Sequence, residues 1–250
     1  MEDVNKLIPN FLIILLRASI VLNMLPFLGS TSFPAQFRIG TAVAVALVLT
    51  PVLEFQAPKA SIAAVAGREV LFGMIFGFAA RFVFYAVDTA GQVISNATGM
   101  SMATIINPEI GQSTEISQLL SIIATLVFFA VDAHHELILL FVKSFEWVPA
   151  GTASVSGVMS ACVPLATQLF ILAIKLSAPV LIIMLSTNIL LGFVSKAAPQ
   201  MNVFFVGYPV YLFLGLFTML VCLPAYTYVL GRYFQGIPEE LGRVMVLMQR

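Results

Sequence analysis

Six apolar stretches can be marked along the chain, at residues 11–27, 39–53, 70–90, 119–141, 165–191 and 203–230. Turn formers stand at or between them: Gly29, Pro34, Pro51, Pro58, Pro108, Gly111, Pro149, Gly151, Gly192 and Pro199. No stretch alternates apolar and polar residues as a half-buried strand would, and the pattern predicts an all-α chain of about six long helices. Pro179, Pro209 and Pro224 fall inside the last two stretches and are expected to kink or break them.

The third stretch and its continuation carry the clearest internal pattern. At ~100° per residue, Glu69, Gly73, Gly77, Arg81, Asp88, Gln92, Ser95 and Gly99 fall within an arc of ~140°. Small and polar residues lined up on a greasy rod mark a face that packs on protein, and Gly73-x-x-x-Gly77 is a close-packing spacing. Beyond Gly99 the sequence MSMATIINPEIGQSTEISQ holds no basic residue, and Pro108 and Gly111 make it a loop.

Composition sets the solvent. Of 250 residues, 60% are hydrophobic and 10% charged, with a mean hydropathy of +1.02. Soluble domains carry roughly a quarter charged residues, so this is a polytopic membrane-type protein, expected to form a single domain over residues 1–250. The stretches nevertheless fit a bilayer poorly. A span takes ~20 apolar residues, whereas the second stretch has about 15 and the sixth about 28, or ~42 Å of helical rise. Such helices look fitted to neighbouring protein as much as to lipid.

Net charge is zero, and no basic tract is available for nucleic acid. The first apolar run follows an acidic MEDVNKLIPN without a small-residue cleavage site, so it reads as a retained helix rather than a signal peptide. With six crossings, Lys6, Lys59, Arg68, Lys143, Arg232, Arg243 and Arg250 fall on one side and Arg38 and Lys196 on the other. That asymmetry favours cytoplasmic termini.

The search for chemistry is brief. Arg17, Arg81 and Lys175 each lie within an apolar stretch and should face a cavity or a partner rather than lipid. Asp132, His134, His135 and Glu136 form the one cluster with metal-ligand residue types. Neighbouring histidines on a helix diverge by ~100°, which argues against a shared ion, while Asp132 and His135 can pair at i, i+3. Cys162 and Cys222 fit no metal spacing and are expected as small apolar fillers. No nucleophile elbow, Walker loop, dinucleotide glycine pattern or H-E-x-x-H occurs, so no catalytic residue, cofactor or metal is implied.

Several segments together resemble one family. The runs RASIVLNMLPFLGSTSFPAQFRIG, AGQVISNATGMSMATIINP, FVKSFEWVPAG and KAAPQMNVFFVGYP are similar to signature segments of the FliR family of flagellar biosynthesis proteins, whose relatives serve virulence type III secretion. The likeness rests on the spacing of Gly91, Gln92, Gly99, Pro108, Pro149, Gly151, Pro199, Gln200, Asn202, Gly207 and Pro209 and covers nearly the whole chain. Many members have Asp where this chain has Asn107.

The resemblance implies a non-catalytic subunit of the flagellar export gate. It would assemble with FliP and FliQ into a helical shell around a protein-conducting pore, with FlhB at the cytoplasmic entrance and unfolded flagellar proteins as cargo. Its fold would be like a fusion of the two partner folds. The complex would sit in the bacterial inner membrane within the flagellar basal body, contacting membrane lipid but raised largely toward the periplasm. The family's pore plug would correspond to Ile105, Ile106, Asn107, Pro108, Glu109, Ile110, Gly111, Gln112 and Ser113. Helix packing and subunit interfaces would use Arg17, Glu69, Gly73, Gly77, Arg81, Asp88, Gly91, Gln92, Gly99, Pro199, Gln200 and Asn202. A second reading, a stand-alone secondary transporter, draws on the charges within the apolar stretches and the late prolines.

Overall fold

A computed structural model describes residues 2–24, 34–53, 61–101 and 114–249. All regular structure among them is helical: α1 (Glu2–Met24), α2 (Ala35–Leu49), α3 (Ile62–Thr98), α4 (Glu115–Ala130), α5 (Ala133–Trp147), α6 (Val155–Ala197), α7 (Val203–Gln235) and α8 (Ile237–Met248). The expected all-α membrane-type architecture is therefore what the chain adopts. Three helical stretches are long and apolar enough to cross a membrane: Ala63–Thr98, Val155–Ala197 and Phe205–Met248. The helices at Ile8–Met24 and Ala35–Leu49 are apolar but shorter.

Two predictions about continuity are corrected. The helical backbone runs without interruption through Pro179, Pro209 and Pro224, so the late stretches are not broken there. A proline deletes one rung of the hydrogen-bond ladder, and the rungs on either side hold the helix. The fourth stretch, in contrast, divides at Val131 and Asp132 into α4 and α5. Asp132 takes a left-handed backbone, φ 55, a conformation Asp tolerates better than most side chains.

The chain forms two compact units. The first comprises residues 1–82, 131–167 and 234–250, and the second residues 83–130 and 168–233. In the first, α1 packs on α2 and α5 on α8. Its core includes Ile14, Ala18, Ala46, Phe72, Phe76, Leu137, Phe145 and Met245. Helix α8 was not anticipated as an element. Ile237, Leu241, Val244, Met245 and Met248 recur at helical spacing and are all buried, while Glu239 and Glu240 occupy the first turn, where acidic groups suit the helix dipole. The start of α6 lies so close to its end that a Cβ on Gly157 would strike the Leu247 carbonyl, and Ser154 N–H donates to Met248 O at 3.0 Å.

In the second unit, Phe84 and Phe128 meet edge to face at 5.6 Å, and Ile94, Leu172, Val180, Met184 and Leu230 are among the other buried residues. Much apolar surface stays uncovered. Only 33% of the most apolar window in Val155–Ala197 is buried, and 17% in Phe205–Met248, against 67% in Ala63–Thr98.

Candidate functional site

Two constructions are built around charged or polar groups, one in each unit. In the first unit the guanidinium of Arg17 is 0% exposed and the carboxylate of Glu69 1%. Their contact is bidentate: Nε donates to Oε2 at 2.6 Å and Nη2 to Oε1 at 2.9 Å. Nη1 also donates to the carbonyl and hydroxyl of Ser144 at 3.1 and 3.3 Å, and Nη2 to the Val148 carbonyl at 3.1 Å. All five guanidinium N–H groups are thereby engaged. Phe72 and Phe145 cover the two faces, with ring centroids 4.1 and 4.2 Å from the guanidinium carbon.

Glu69 is held from its other side by the Gly151 amide, 2.8 Å from Oε1. The Gly151 carbonyl accepts from Arg68 Nη1 at 2.8 Å. Gly151 has φ 74, a left-handed turn that favours glycine and aims its N–H at the carboxylate. The arrangement ties α1, α3, α5 and the turn after α5 into one network. A buried ion pair is tolerable only when both ions have their hydrogen bonds satisfied, and here they do. It offers no open donor to a substrate and performs a structural task.

In the second unit the frame is built from residues on either side, in sequence, of the segment expected as the plug. Residues 105–113 lie outside the described residues, and what the structure places is their two stems. Helix α3 ends at Thr98, with Gly99 at φ 78 against the Tyr208 ring at 3.4 Å from a built Cβ. On the far side Thr114 caps α4: its Oγ1 accepts from the Ser117 amide at 3.3 Å. Ser117 Oγ donates to the Asp88 carbonyl at 3.1 Å, and Ser121 Oγ to the Asp88 carboxylate at 2.5 Å. Gly91 lies directly against the Ser117 backbone, leaving no room for a Cβ. Asp88 and Gly91 thus fix the start of α4 on the last turns of α3. Gly215 of α7 abuts the Thr98 methyl with as little room.

The remaining predicted positions divide. Gly73 and Gly77 are buried where α1 passes, a built Cβ coming 2.9 Å from Ile20 and 2.5 Å from Met24. Arg81 is half-buried and Gln92 exposed, so the stripe along α3 does not bury throughout. Pro199 and Gln200 are exposed in the turn between α6 and α7, where Asn202 Oδ1 accepts from the Phe205 amide at 3.3 Å, as a capping side chain does. Lys175 is exposed and donates to the Tyr233 hydroxyl at 3.2 Å.

Sequence reasoning singled out Arg17 and Glu69 separately but missed their pairing, together with Ser144, Val148, Thr114 and Ser117. The Pro-Ala-Gly turn at 149–151 and the Thr-Glu sequence before α4 were the available signals.

The histidine cluster follows expectation in the Asp132–His135 pairing and departs from it in the approach of the two histidine rings. The rings of His134 and His135 lie 4.0 Å apart, not splayed around the helix, and His135 Nδ1 is 3.6 Å from Asp132 Oδ1. Ligand atoms of Asp132, His134 and His135 fall within 4.8 Å of one another. Asp132 precedes the first turn of α5 in a left-handed conformation, φ 55. Cys162 is exposed and Cys222 half-buried, both free thiols, so Cys162 does not fill a core.

The profile of the bacterial export proteins, family 1, matches residues 8–237. The flagellar biosynthetic protein FliR of Bacillus subtilis is 29% identical over 257 aligned positions, covering 99% of each chain. The protein of the same name from Escherichia coli is 29% identical, covering 84% of this chain and 82% of its own. The secretion system apparatus protein SsaT of Salmonella typhimurium is 32% identical over 62% of this chain and 61% of its own.

Proposed function

The chain belongs to family 1 of the bacterial export proteins, and from that premise we propose that it is a non-catalytic wall subunit of a flagellar type III secretion export gate. It assembles with FliP and FliQ into a helical shell around a pore for unfolded flagellar proteins, with FlhB at the entrance. The gate stands in the bacterial inner membrane, raised toward the periplasm. The segment 105–113 plugs the closed pore.

One observation supports the shell reading above the others. The two most apolar late stretches hold 43 and 44 residues, more than twice what a bilayer crossing needs, yet bury only 33% and 17% of their most apolar windows. Apolar surface longer than a bilayer can cover calls for protein neighbours. The plug assignment rests on position and chemistry. Asp88, Gly91 and Thr114 anchor the stems, and the sequence between them carries the turn-forming residues Pro108 and Gly111.

The stand-alone transporter reading loses its first charge, because every donor of Arg17 is committed to the fold. Co-expression with the neighbouring export genes, mild-detergent purification and mass measurement of the intact complex separate the two. A gate subunit emerges with two unrelated membrane proteins. A transporter emerges alone or with copies of itself, and that result would overturn the proposal.

A further inference from the structure

At the start of α5 the fold brings one carboxylate and two imidazoles together. Ligand atoms of Asp132, His134 and His135 all lie within 4.8 Å of one another, and the three residues belong to the first unit. At regular helical spacing neighbouring histidines diverge by ~100°. In the folded chain the two rings instead stand 4.0 Å apart, centroid to centroid.

Two further observations bear on what the cluster does. His135 Nδ1 is 3.6 Å from Asp132 Oδ1, too long for a hydrogen bond. Two ligands held ~2.0–2.1 Å from one tetrahedral zinc stand ~3.4 Å apart, close to that separation. Asp132 also occupies the N-cap position of α5, where an aspartate ordinarily accepts an amide hydrogen of the first turn. Its side chain makes no such bond. The carboxylate stands beside His135 instead.

The residue types narrow the ligand. An ion pair of Asp132 with His135 alone leaves the second imidazole without a task. Protonating both rings sets two like charges side by side, whereas a metal takes each as a neutral ligand. Two nitrogens and one carboxylate oxygen do not suit Mg²⁺ or Ca²⁺, which take oxygen shells. Imidazole with carboxylate is a zinc set, and three protein ligands leave one tetrahedral position to water. Asp132 and His135 are exposed, so an ion reaches the cluster from solvent. The positive end of a helix opposes a cation, and the charges of Asp132 and of Glu136 in the first turn offset that.

We propose that Asp132, His134 and His135 bind one Zn²⁺ per chain. The ion caps α5: it ties residue 132, ahead of the helix, to residues 134 and 135 in its first turn, in place of the side-chain cap that Asp132 does not make. It needs no group from another subunit.

The test uses the full chain, purified in mild detergent without a polyhistidine tag, together with the proteins that accompany it, and stripped by chelator. Co²⁺ alone is the spectroscopic probe and Zn²⁺ the competitor. Both histidines of the chain lie in this cluster, so imidazole ligation by this chain reports on no other place. Wild type is expected to take up one Co²⁺ per chain, with visible d–d bands and no thiolate charge-transfer band, and to release it to Zn²⁺ but not to Mg²⁺. His134→Gln, His135→Gln and Asp132→Asn are each expected to weaken uptake at least ~tenfold, the lower end of what loss of even an outer-shell partner costs. Asn tolerates the left-handed turn as Asp does, and positions 132 and 135 are exposed, so these two variants spare the fold. Uptake unchanged by His135→Gln marks adventitious binding and overturns the proposal. So does a wild-type chain that takes up no Co²⁺, a result that needs no variant.

Discussion

At the scale of single residues, Arg17 shows how a charge becomes part of an apolar core. An arginine in a greasy helix is costly, and sequence alone leaves its destination open between cavity, partner and pore. Here Glu69, three backbone or hydroxyl oxygens and two phenyl faces absorb it completely. Removing one member strands the other, so Arg17→Ala is expected to destabilise the solubilised protein by about 3–5 kcal/mol. The double variant Arg17→Met, Glu69→Leu should recover most of that loss, because the pair is replaced rather than broken. Thermal unfolding of the four members of the cycle measures the coupling. Gly91 and Gly192 supply a matched contrast. A Cβ at Gly91 meets Ser117, whereas one at Gly192 meets nothing within 4 Å. Gly91→Ala should cost about 1–3 kcal/mol through overpacking. Gly192→Ala should be neutral or stabilising by up to ~1 kcal/mol, as helix propensity predicts. The same melting experiment reads both.

At the scale of elements, α8 was the hardest to foresee. Its apolar residues are spread among Glu239, Glu240 and Arg243, so an average over the segment hides a helix that periodicity would reveal. Packing then makes it indispensable: Leu241 and Met245 are fully buried, α5 packs beside it, and Gln249 donates to the Trp147 carbonyl. Leu241→Ala is expected to cost about 2–5 kcal/mol. Limited proteolysis should then cut the 236–250 segment far faster than in wild type. At Pro179, Pro209 and Pro224 a strong local rule predicted a kink or a break, and the helical assignment continues through all three, so the break is not what happens. The stripe along α3 meets a close neighbour at Gly73 and Gly77, whereas Gln92 is exposed. Angular position on a helix says which residues share a face, but not where along the rod a neighbour stops.

At the scale of the whole molecule, three helical stretches carry the length to cross a membrane and much apolar surface that the chain leaves uncovered. If 105–113 closes the pore, shortening it raises ion conductance of membranes bearing the assembled gate by an order of magnitude or more. Anchors and span can be told apart. Ser117→Ala and Ser121→Ala loosen the stem from Asp88 while leaving the span intact, and should raise conductance less than the deletion does. Wild-type conductance from the shortened gate would remove the plug from the account.

Composition, apolar run length and turn residues were enough to determine an all-helical, membrane-type protein, and its motif spacing was enough to suggest the family. These are properties of local sequence, set by what each stretch of twenty or so residues prefers as solvent. Tertiary structure alone decided the rest. Arg17 finds Glu69 across 52 positions, and Ser144 and Val148 across 127 and 131. Ser121 finds Asp88 across 33 positions. Such meetings depend on which faces are brought together when the helices pack, and no periodicity within one segment records its neighbour's.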